Sequence, residues 1–481
     1  MSDTTDISDP EPEEAAAVNL GRRSTVMAAG TVASRATGFL RVLALGYALG
    51  FNHLSDAYNL ANTLPNIVYE LILGGVVSAT LVPIFVGLFE DDDDPWRGVA
   101  AVTWLVLAVT AGLSALFFVG APLLSAPYAA LNHSSNAAAQ HNLTVAFMRY
   151  FAPQVVLLAG MAVGSAILNA RRRFAAPMFA PVLNNVVVIA AIVAAPHFIS
   201  HAGLHSLRLG SGLVVLGLGT TLGYAAQLAG ILPSLRAVGA RFRPVWDPRH
   251  PAVRATARLS GWTFGFVVAN QIAYLLVVAL ANKRGGELSS YQAAFQFFQL
   301  PHAVIAVSVT GALLPELSAA ASRGDQQVFN HLFFRGLRII AAMLIPAAVV
   351  AALFAHPLLR PLIAHGRLSN HSLDATARAL SAFALGLPGF SAFILCTRAL
   401  QARKDTRRVF YLYVLENAIN IVLALALYPS MHIRGLAYSY AAAYTVTAVV
   451  AYVVVMHTGH GRPRGRLPFD APASPTRRPV V

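Results

Sequence analysis

The chain has 481 residues, of which 56% are hydrophobic and only 12% are charged. Soluble domains carry about 25% charged residues, so this composition excludes an ordinary soluble protein. A net charge of +14 can indicate nucleic-acid binding, but here the basic residues cluster between long apolar runs, a pattern typical of membrane proteins.

Apolar runs follow one another along the chain, each long enough to cross a bilayer, which takes about 20 residues. The sequence therefore predicts an all-α polytopic membrane protein with about twelve transmembrane helices. An acidic disordered tail is predicted at residues 1–20, and a basic disordered tail at 459–481. The predicted spans are 24–50, 56–88, 98–123, 142–170, 177–198, 209–235, 254–282, 287–320, 328–357, 374–402, 406–429 and 434–457.

Arginine-rich loops alternate with loops that are poor in Lys and Arg. The rich segments are Arg22–Arg23, Arg171–Arg173, Arg236–Arg249, Arg403–Arg408 and Arg462–Arg478, and the exception in the other set is Lys283 with Arg284. Cytoplasmic loops carry the excess of Lys and Arg in membrane proteins. We therefore expect a multi-pass protein of the cytoplasmic membrane with both termini in the cytoplasm.

The sequence gives no sign of catalytic or metal chemistry. Cys396 is the single cysteine, which excludes an intramolecular disulfide and a cysteine metal cluster. The metalloprotease, Walker A and nucleophile-elbow patterns are all missing from the sequence. We expect no catalytic residue, no metal site and no cofactor.

An internal repeat divides the chain. Around Leu64 the sequence reads LPNIVYELILGGVVSATLVPIF, and around Leu300 it reads LPHAVIAVSVTGALLPELS. The match predicts two six-helix lobes, residues 21–240 and 241–458, around a central cavity. Paired Pro-interrupted helices at corresponding positions point to a central site in transporters. The alternative is a chance match, because Leu-Pro and Ser/Thr are common in membrane helices.

The second predicted span carries polar residues at helical spacing. Asp56, Asn59, Asn62 and Asn66 fall on one face of a helix. Polar residues within a membrane usually face the bundle interior or a water-filled cavity. Two simpler roles stay open: hydrogen bonding of the asparagines between helices, and capping of its own helix by Asp56.

Two arginines interrupt the first predicted span, in GTVASRATGFLRVLALGYALG. A mid-membrane arginine costs at least about 2.5 kcal/mol on insertion scales, so it is normally kept for an ion pair or an anion. Arg35 and Arg41 could pair with Asp56 or Glu70, or they could line a cationic cavity for an anionic substrate. The planar guanidinium fork suits a phosphate.

Three segments carry a family resemblance: SRATGFLRVLAL, SDAYNLANTLPNIVYELILGGVVSATLVPIF and YQAAFQFFQLPHAVIAVSVTGALLPELS. The chain resembles the MurJ (MviN) family of lipid II flippases, most closely its actinobacterial branch, within the multidrug/oligosaccharidyl-lipid/polysaccharide exporter superfamily. The resemblance covers most of residues 20–457. It implies that lipid II, an undecaprenyl-pyrophosphate-linked disaccharide-pentapeptide, crosses from the inner to the outer leaflet by alternating access of the two lobes.

The resemblance also implies a substrate site with a reduced arginine cluster. Arg35, Arg41 and Asp56 match family positions, whereas Tyr69 and Gln296 stand where arginines are expected, and Val42 replaces an acidic residue. The predicted substrate-binding residues are Arg35, Arg41, Asp56, Asn59, Asn62, Asn66, Tyr69 and Gln296.

Energy coupling and partners stay open at this stage. Some family members hold sodium between the seventh, eleventh and twelfth helices, where the polar candidates are Asn270, Glu416, Asn417 and Asn420. A coupling ion, Na⁺ or H⁺, or the membrane potential is expected to supply the energy. Membrane lipids and cell-wall synthesis proteins are expected partners, and nucleic acid is not.

Rival functions make different demands on the sequence. A relative could export another polyprenyl-linked glycan or a small molecule, but an exporter of cationic drugs would want acidic cavity residues. A non-transporting cell-wall scaffold would not explain why arginines are kept within the membrane. A membrane glycosyltransferase or polymerase needs a carboxylate-rich site, and the predicted outer loops are too short and too poor in Asp and Glu.

Overall fold

The computed structural model describes residues 12–70, 80–91, 94–132, 134–199, 210–241 and 243–458, and the side chains of all of these except 12–28, 91, 257–266 and 269. Across these ranges the regular structure is helical. A 3₁₀ turn spans Ala195–His197, and a π-helical turn spans His302–Ala306. The helices are α1 (Pro12–Leu49), α2 (His53–Tyr69), α3 (Val82–Asp91), α4 (Pro95–Ala130), α5 (Ala137–Phe151), α6 (Gln154–Ala170), α7 (Ala175–Ala194), α8 (Ser211–Ala237), α9 (Pro251–Ala281), α10 (Glu287–Pro301), α11 (Val307–Arg323), α12 (Gln326–Ile363), α13 (Asn370–Leu385), α14 (Leu387–Ala402) and α15 (Thr406–Thr458).

Many of these helices are long and apolar enough to cross a membrane. In the described part of the chain there are 7 such stretches, and the pair α13–α14, bent by 48°, makes up to 8. Large apolar side chains cover their outer surface, as in α4, where Val119 is 74% and Leu123 is 78% exposed. Such a surface requires lipid around it. The predicted all-α polytopic membrane fold is confirmed, whereas the count of twelve spans stays a prediction.

Helix α15 is two antiparallel segments. Its backbone leaves helical geometry at His432, with φ 51° and ψ −137°. Ser439 Oγ donates a hydrogen bond to Asn420 Oδ1 at 3.0 Å, although 19 residues of straight helix would place them about 28 Å apart. The chain therefore folds back at His432, between the predicted spans 406–429 and 434–457.

The N-terminal boundary differs from the sequence expectation. Helix α1 begins at Pro12, inside the range 1–20 that was predicted to be a disordered tail. Residues 1–11 and the predicted tail at 459–481 lie outside the described residues.

Backbone geometry supports the internal repeat. Arg172 and Lys404 both adopt positive φ, 57° and 59°, and each is the second residue after a helix that ends in Ala, α6 and α14. A similar segment follows each turn, VLNN at 182–185 and VLEN at 414–417. The same local structure thus recurs about half a chain later, while the predicted lobe boundaries stay predictions.

Packing is densest within each half of the chain. In the first half α1 and α8 pack on α7, and α2 packs on α5, where the Tyr58 ring meets Phe147 and Phe151 edge-on, with 5.7 Å between centroids. In the second half α13 packs on α10 and α12, and α14 packs on α15. Fewer contacts join the halves, chiefly those of α4 with α9 and of α2 with α10. Asp56 and Asn59, two of the predicted site residues, lie along the junction of α2 with α10.

Candidate functional site between the two halves

The Asp56 carboxylate caps a helix of the other half. It accepts hydrogen bonds from the Gly286 N–H at 2.5 Å, the Ser289 N–H at 2.8 Å and the Ser289 hydroxyl at 2.6 Å. Gly286 is the N-cap of α10, where backbone N–H groups lack partners inside the helix and a negative charge is favoured. Asp56 is fully buried. In this conformation it therefore binds α10 and leaves no surface for a substrate.

Asp56 neither caps its own helix nor pairs with an arginine, the two alternatives that the sequence suggested. Its own helix is capped by Asn52, whose side chain accepts from the N–H groups of Leu54 and Ser55. Asp56 forms no salt bridge with Arg35, Arg41 or any other cation of the described residues. Both the local N-cap and the ion pair were wrong, because the partner lies 230 residues away in sequence.

A row of hydrogen bonds continues down α2 toward α10. Ser55 Oγ and Ser289 Oγ lie 3.0 Å apart, and Asn59 Nδ2 donates to Ser289 Oγ at 3.0 Å. One turn further, Gln292 Nε2 donates to Thr63 Oγ1 at 3.3 Å. The polar face predicted for α2 does face the bundle interior. Its N-terminal half is occupied by contacts with α10.

A second group of hydrogen-bonded polar side chains lies at the same end of the bundle. Gln140, on α5, is 2% exposed. Its Oε1 accepts from His53 Nδ1 at 2.8 Å and from Asn132 Nδ2 at 3.1 Å, and its Nε2 donates to Asn282 Oδ1 at 2.9 Å. Since Asn282 belongs to the second half, Gln140 joins both halves. We call the contacts of Asn52–Asp56 and Gln140 with Asn282–Ser289 the sealed end.

Close backbone approach at the sealed end requires glycine. Gly286 has φ +85°, and a Cβ there would lie 2.7 Å from the Phe51 carbonyl oxygen. The Ser372 hydroxyl donates to that same oxygen at 3.0 Å, and the Arg367 N–H donates to the Tyr47 carbonyl at 3.0 Å. The end of α1 and the loop that follows it are therefore held by the first turn of α13 and the loop before it.

The arginines of α1 lie below the sealed end. Arg41 is half-buried, and its Nη2 lies 3.5 Å from the Tyr58 hydroxyl, which in turn is 2.8 Å from Thr220 Oγ1. Arg35 is exposed and close enough to His302 of the second half to act on it electrostatically. Neither arginine has a carboxylate partner among the described residues. Arg41 is thus a half-buried cation held by neutral hydroxyls.

The other predicted site residues are spread over the junction. Asn66 Nδ2 bonds its own helix at the Asn62 carbonyl, 2.7 Å away, and reaches the Tyr224 hydroxyl at 3.4 Å. Asn62 Oδ1 is buried, with no hydrogen-bond partner in the described chain. Tyr69 packs against a small cluster of Ala159 and Ala162 on α6, and Gln296 is exposed. The structure joins Asp56 and Asn59 at Ser289 but brings Arg35, Tyr69 and Gln296 to separate places.

Sequence reasoning missed the partners of these residues: Ser289, Gly286, Gln140, Thr63, Thr220 and Tyr224. One signal was present for the first of them. The dipeptide Leu-Ser occurs at Leu54–Ser55 and at Leu288–Ser289, and each serine is the third residue of its helix. Hydroxyls and amides elsewhere in helices give no comparable signal, because their role depends on the neighbouring helix.

Two of the four residues considered for ion coupling, Asn270 and Asn417, contact each other in the second half. Asn417 Nδ2 donates to Asn270 Oδ1 at 2.7 Å, and Asn420 Oδ1 accepts from Ser439. Glu416 is 1% exposed, and its Oε1 has no hydrogen-bond partner within the described residues. Those residues contain no group of three His, Cys, Asp or Glu side chains that could hold a metal ion. A buried carboxylate with an oxygen that has no partner among the described residues is suited to a proton or to one hard cation.

Sequence comparisons place this arrangement in a known context. The family model described as "Lipid II flippase MurJ" matches residues 45–465. A relative from Rhizobium meliloti (strain 1021), "Probable lipid II flippase MurJ", is 28% identical over 454 residues, covering 92% of this chain and 82% of its own. A "Lipid II flippase MurJ" from Burkholderia cenocepacia is 29% identical over 397 residues, covering 81% and 75%.

Solved structures show a similar fold. "Lipid II flippase MurJ, inward closed conformation" superposes with a TM-score of 0.76 at 20% identity, covering 90% of this chain and 87% of that one. An inward-facing multidrug resistance transporter of the MATE family and MOP superfamily gives a TM-score of 0.65 at 16% identity, covering 88% and 98%. At these identities the likeness concerns the fold.

Proposed function

The chain belongs to the lipid II flippase MurJ family, and we propose that it moves lipid II from the inner to the outer leaflet of the cytoplasmic membrane by alternating access of its two halves. Members of this family are transporters, so the protein is a membrane transporter and not an enzyme. Lipid II is accordingly its substrate.

One observation of the structure carries the mechanism. Arg41 is a half-buried cation without a carboxylate partner among the described residues, which is costly inside a membrane unless an anion binds there. The pyrophosphate of lipid II is such an anion, and guanidinium groups bind phosphate oxygens by paired hydrogen bonds. Arg41 and Arg35 can balance the two charges of a pyrophosphate while the lipid tail stays in the bilayer.

The sealed end supplies one gate. Its hydrogen bonds are local, polar and concentrated in a few residues, so they can break together when the halves rock. Pro65 interrupts α2 below the sealed end, where a missing backbone N–H lets the helix bend. Asn62 and Asn66 lie beside this proline and offer amide groups to the sugars and peptide of the head group.

Orientation and location follow from the arginine pattern. We place both termini in the cytoplasm, which puts the sealed end at the outer face of the membrane. Lys283 and Arg284, the exception to this pattern, both have local partners: Lys283 lies over the Tyr428 ring at 5.3 Å, and Arg284 Nη1 is 3.0 Å from His432 Nε2. Outside, the head group would be passed to cell-wall synthesis proteins, the partners we propose.

Energy coupling forms a separate part of the proposal. The buried Glu416 with its unpartnered oxygen supports coupling to a proton or to Na⁺ in the second half. The membrane potential is the alternative source, since moving an anionic head group outward changes charge across the bilayer.

A lipid II translocation assay in proteoliposomes tests the function. We expect transfer of lipid II to the outer leaflet, with a rate that depends on a proton or sodium gradient. Transfer of another polyprenyl-linked glycan without transfer of lipid II would favour a relative with a different substrate. If depletion of the protein stops cell-wall synthesis in vivo while the purified protein transfers no lipid in vitro, the result would favour a non-transporting scaffold.

A further inference from the structure

A cavity of about 380 Å³ lies at the end of the first half opposite the sealed end, within the size range of about 300–1,000 Å³ that is usual for small-molecule sites. It is bounded by the C-terminal ends of α3, α6 and α8. Its lining consists of Val86, Phe89, Glu90, Ala170, Arg171, Arg172, Arg173, Ala237 and Val238.

The cavity has strong positive charge on one wall. Among the described lining residues, Arg171, Arg172 and Arg173 face one carboxylate, Glu90, which begins the acidic run Glu90–Asp94 of the sequence. The Arg171 guanidinium lies 5.0 Å from the centre of the Phe89 ring, and Arg172 sits in a left-handed turn with φ 57°. None of these arginines forms a salt bridge with another described residue. Within the part of the chain that the structure describes, no carboxylate engages their donors.

The second half of the repeat shows what the same turn does without a ligand site. Arg403, which corresponds to Arg171, donates to the Val455 carbonyl at 2.6 Å, to Thr458 Oγ1 at 2.6 Å and to Gln326 Oε1 at 3.0 Å. Its guanidinium also lies 3.9 Å from the centre of the Phe329 ring. In the second half, hydrogen bonds within the protein therefore occupy the Arg403 guanidinium. In the first half, a cavity lies beside Arg171.

Tryptophans place the cavity at the depth of the lipid head groups. The Phe89 ring on the cavity wall contacts the Trp96 ring, with 5.1 Å between centroids. Trp104 Nε1 donates to the Arg243 carbonyl at 2.9 Å, and Trp246 is 69% exposed. Tryptophan is enriched at the membrane-water interface, and the arginine pattern places this end at the cytoplasmic face.

We propose that this cavity binds the phosphate-bearing head group of an anionic phospholipid of the inner leaflet. Arg171 and Arg173 supply guanidinium forks for the phosphate oxygens, and the Phe89 ring supports the guanidinium plane of Arg171. Arg172 adds positive charge at the mouth. The exposed ends of the surrounding helices leave room for the acyl chains in the bilayer. This site is separate from the one proposed for lipid II.

The test uses the purified full-length chain in a neutral detergent, titrated with phosphatidylglycerol, with bound lipid counted by native mass spectrometry. Replacing Arg171, Arg172 and Arg173 together by Gln should weaken phosphatidylglycerol binding by at least about tenfold. Ala237→Trp, which fills the cavity from an exposed position and keeps the charge, should weaken it as well. Phosphatidylcholine should bind poorly to the unmodified protein.

The matched control lies in the equivalent loop of the second half. Replacing Lys404, Arg407 and Arg408 together by Gln removes the same charge from the same side of the membrane, and phosphatidylglycerol binding should stay within about twofold. Equal losses in both triple variants would overturn the proposal in favour of diffuse surface attraction. Full binding by Ala237→Trp would also overturn it, and displacement of the lipid by millimolar inorganic phosphate would assign the cavity to free phosphate instead.

Discussion

Ser55 Oγ and Ser289 Oγ lie 3.0 Å apart where α2 meets α10. Each serine follows a leucine and is the third residue of its helix. Because the two serines belong to different halves of the chain, rocking of the halves directly makes or breaks this contact.

Arg41 should be required for transport. Arg41→Ala removes a half-buried cation that bonds only tyrosine hydroxyls, so it should abolish complementation of a flippase-depleted strain while the protein still reaches the membrane. Arg41→Lys should restore growth only partly, because the ammonium keeps the charge and loses the fork. Arg338→Ala is the control, since Arg338 is exposed and bonds only its own helix. Normal growth with Arg41→Ala would remove Arg41 from the substrate site.

Asp56 should control access at the sealed end. Asp56→Asn replaces one acceptor oxygen by a donor that faces backbone N–H groups, a loss of about 1.5–3 kcal/mol. Labelling of Ser290→Cys by a membrane-impermeant thiol reagent, in a Cys396→Ala background, should become about tenfold faster or more.

The matched control is Asp374→Asn, the same chemical change at a carboxylate that pairs with half-exposed His356. It should leave the labelling of Ser290→Cys unchanged. If both substitutions accelerate labelling equally, the capping contact of Asp56 is not what keeps this end closed.

Topology can be tested with two single cysteines. Ser135→Cys should react from outside the cell and Arg172→Cys only from inside, both in the Cys396→Ala background. Ser135 is exposed, whereas its neighbour Asn132 is buried and bonds Gln140, which makes Asn132 a poor labelling site. Reaction of both cysteines from one side would rule out cytoplasmic termini with the predicted spans.

Arg403 should contribute strongly to stability. Arg403→Ala removes three hydrogen bonds and a ring contact that hold α12, α14 and the end of α15 together. Thermal unfolding in detergent should show a loss of about 2–4 kcal/mol. Arg407→Ala, which removes an exposed arginine in contact with the Tyr411 ring, should cost less than about 1 kcal/mol. Equal melting temperatures for the two variants would contradict this assignment.

The sequence predicted the membrane fold and the break in α15 because both depend on local composition. The spans 406–429 and 434–457 flank His432, where the backbone turns. The 3,3,4 spacing of Asp56, Asn59, Asn62 and Asn66 likewise predicted one polar helical face. What that face touches could not be predicted, because Ser289 and Gly286 come from a helix more than 200 residues away. The cost of placing Arg35 and Arg41 within the membrane could be predicted from the sequence, but only the structure shows that neither has a carboxylate partner among the described residues.

The most direct test of alternating access uses Ser55 and Ser289. Ser55→Cys with Ser289→Cys, in the Cys396→Ala background, should form a disulfide across the sealed end, given the 3.0 Å between the native hydroxyls. In proteoliposomes we predict that the oxidised protein fails to move lipid II to the outer leaflet and that reduction restores transfer. Equal transfer before and after reduction, or no transfer by the reduced protein, would contradict the account.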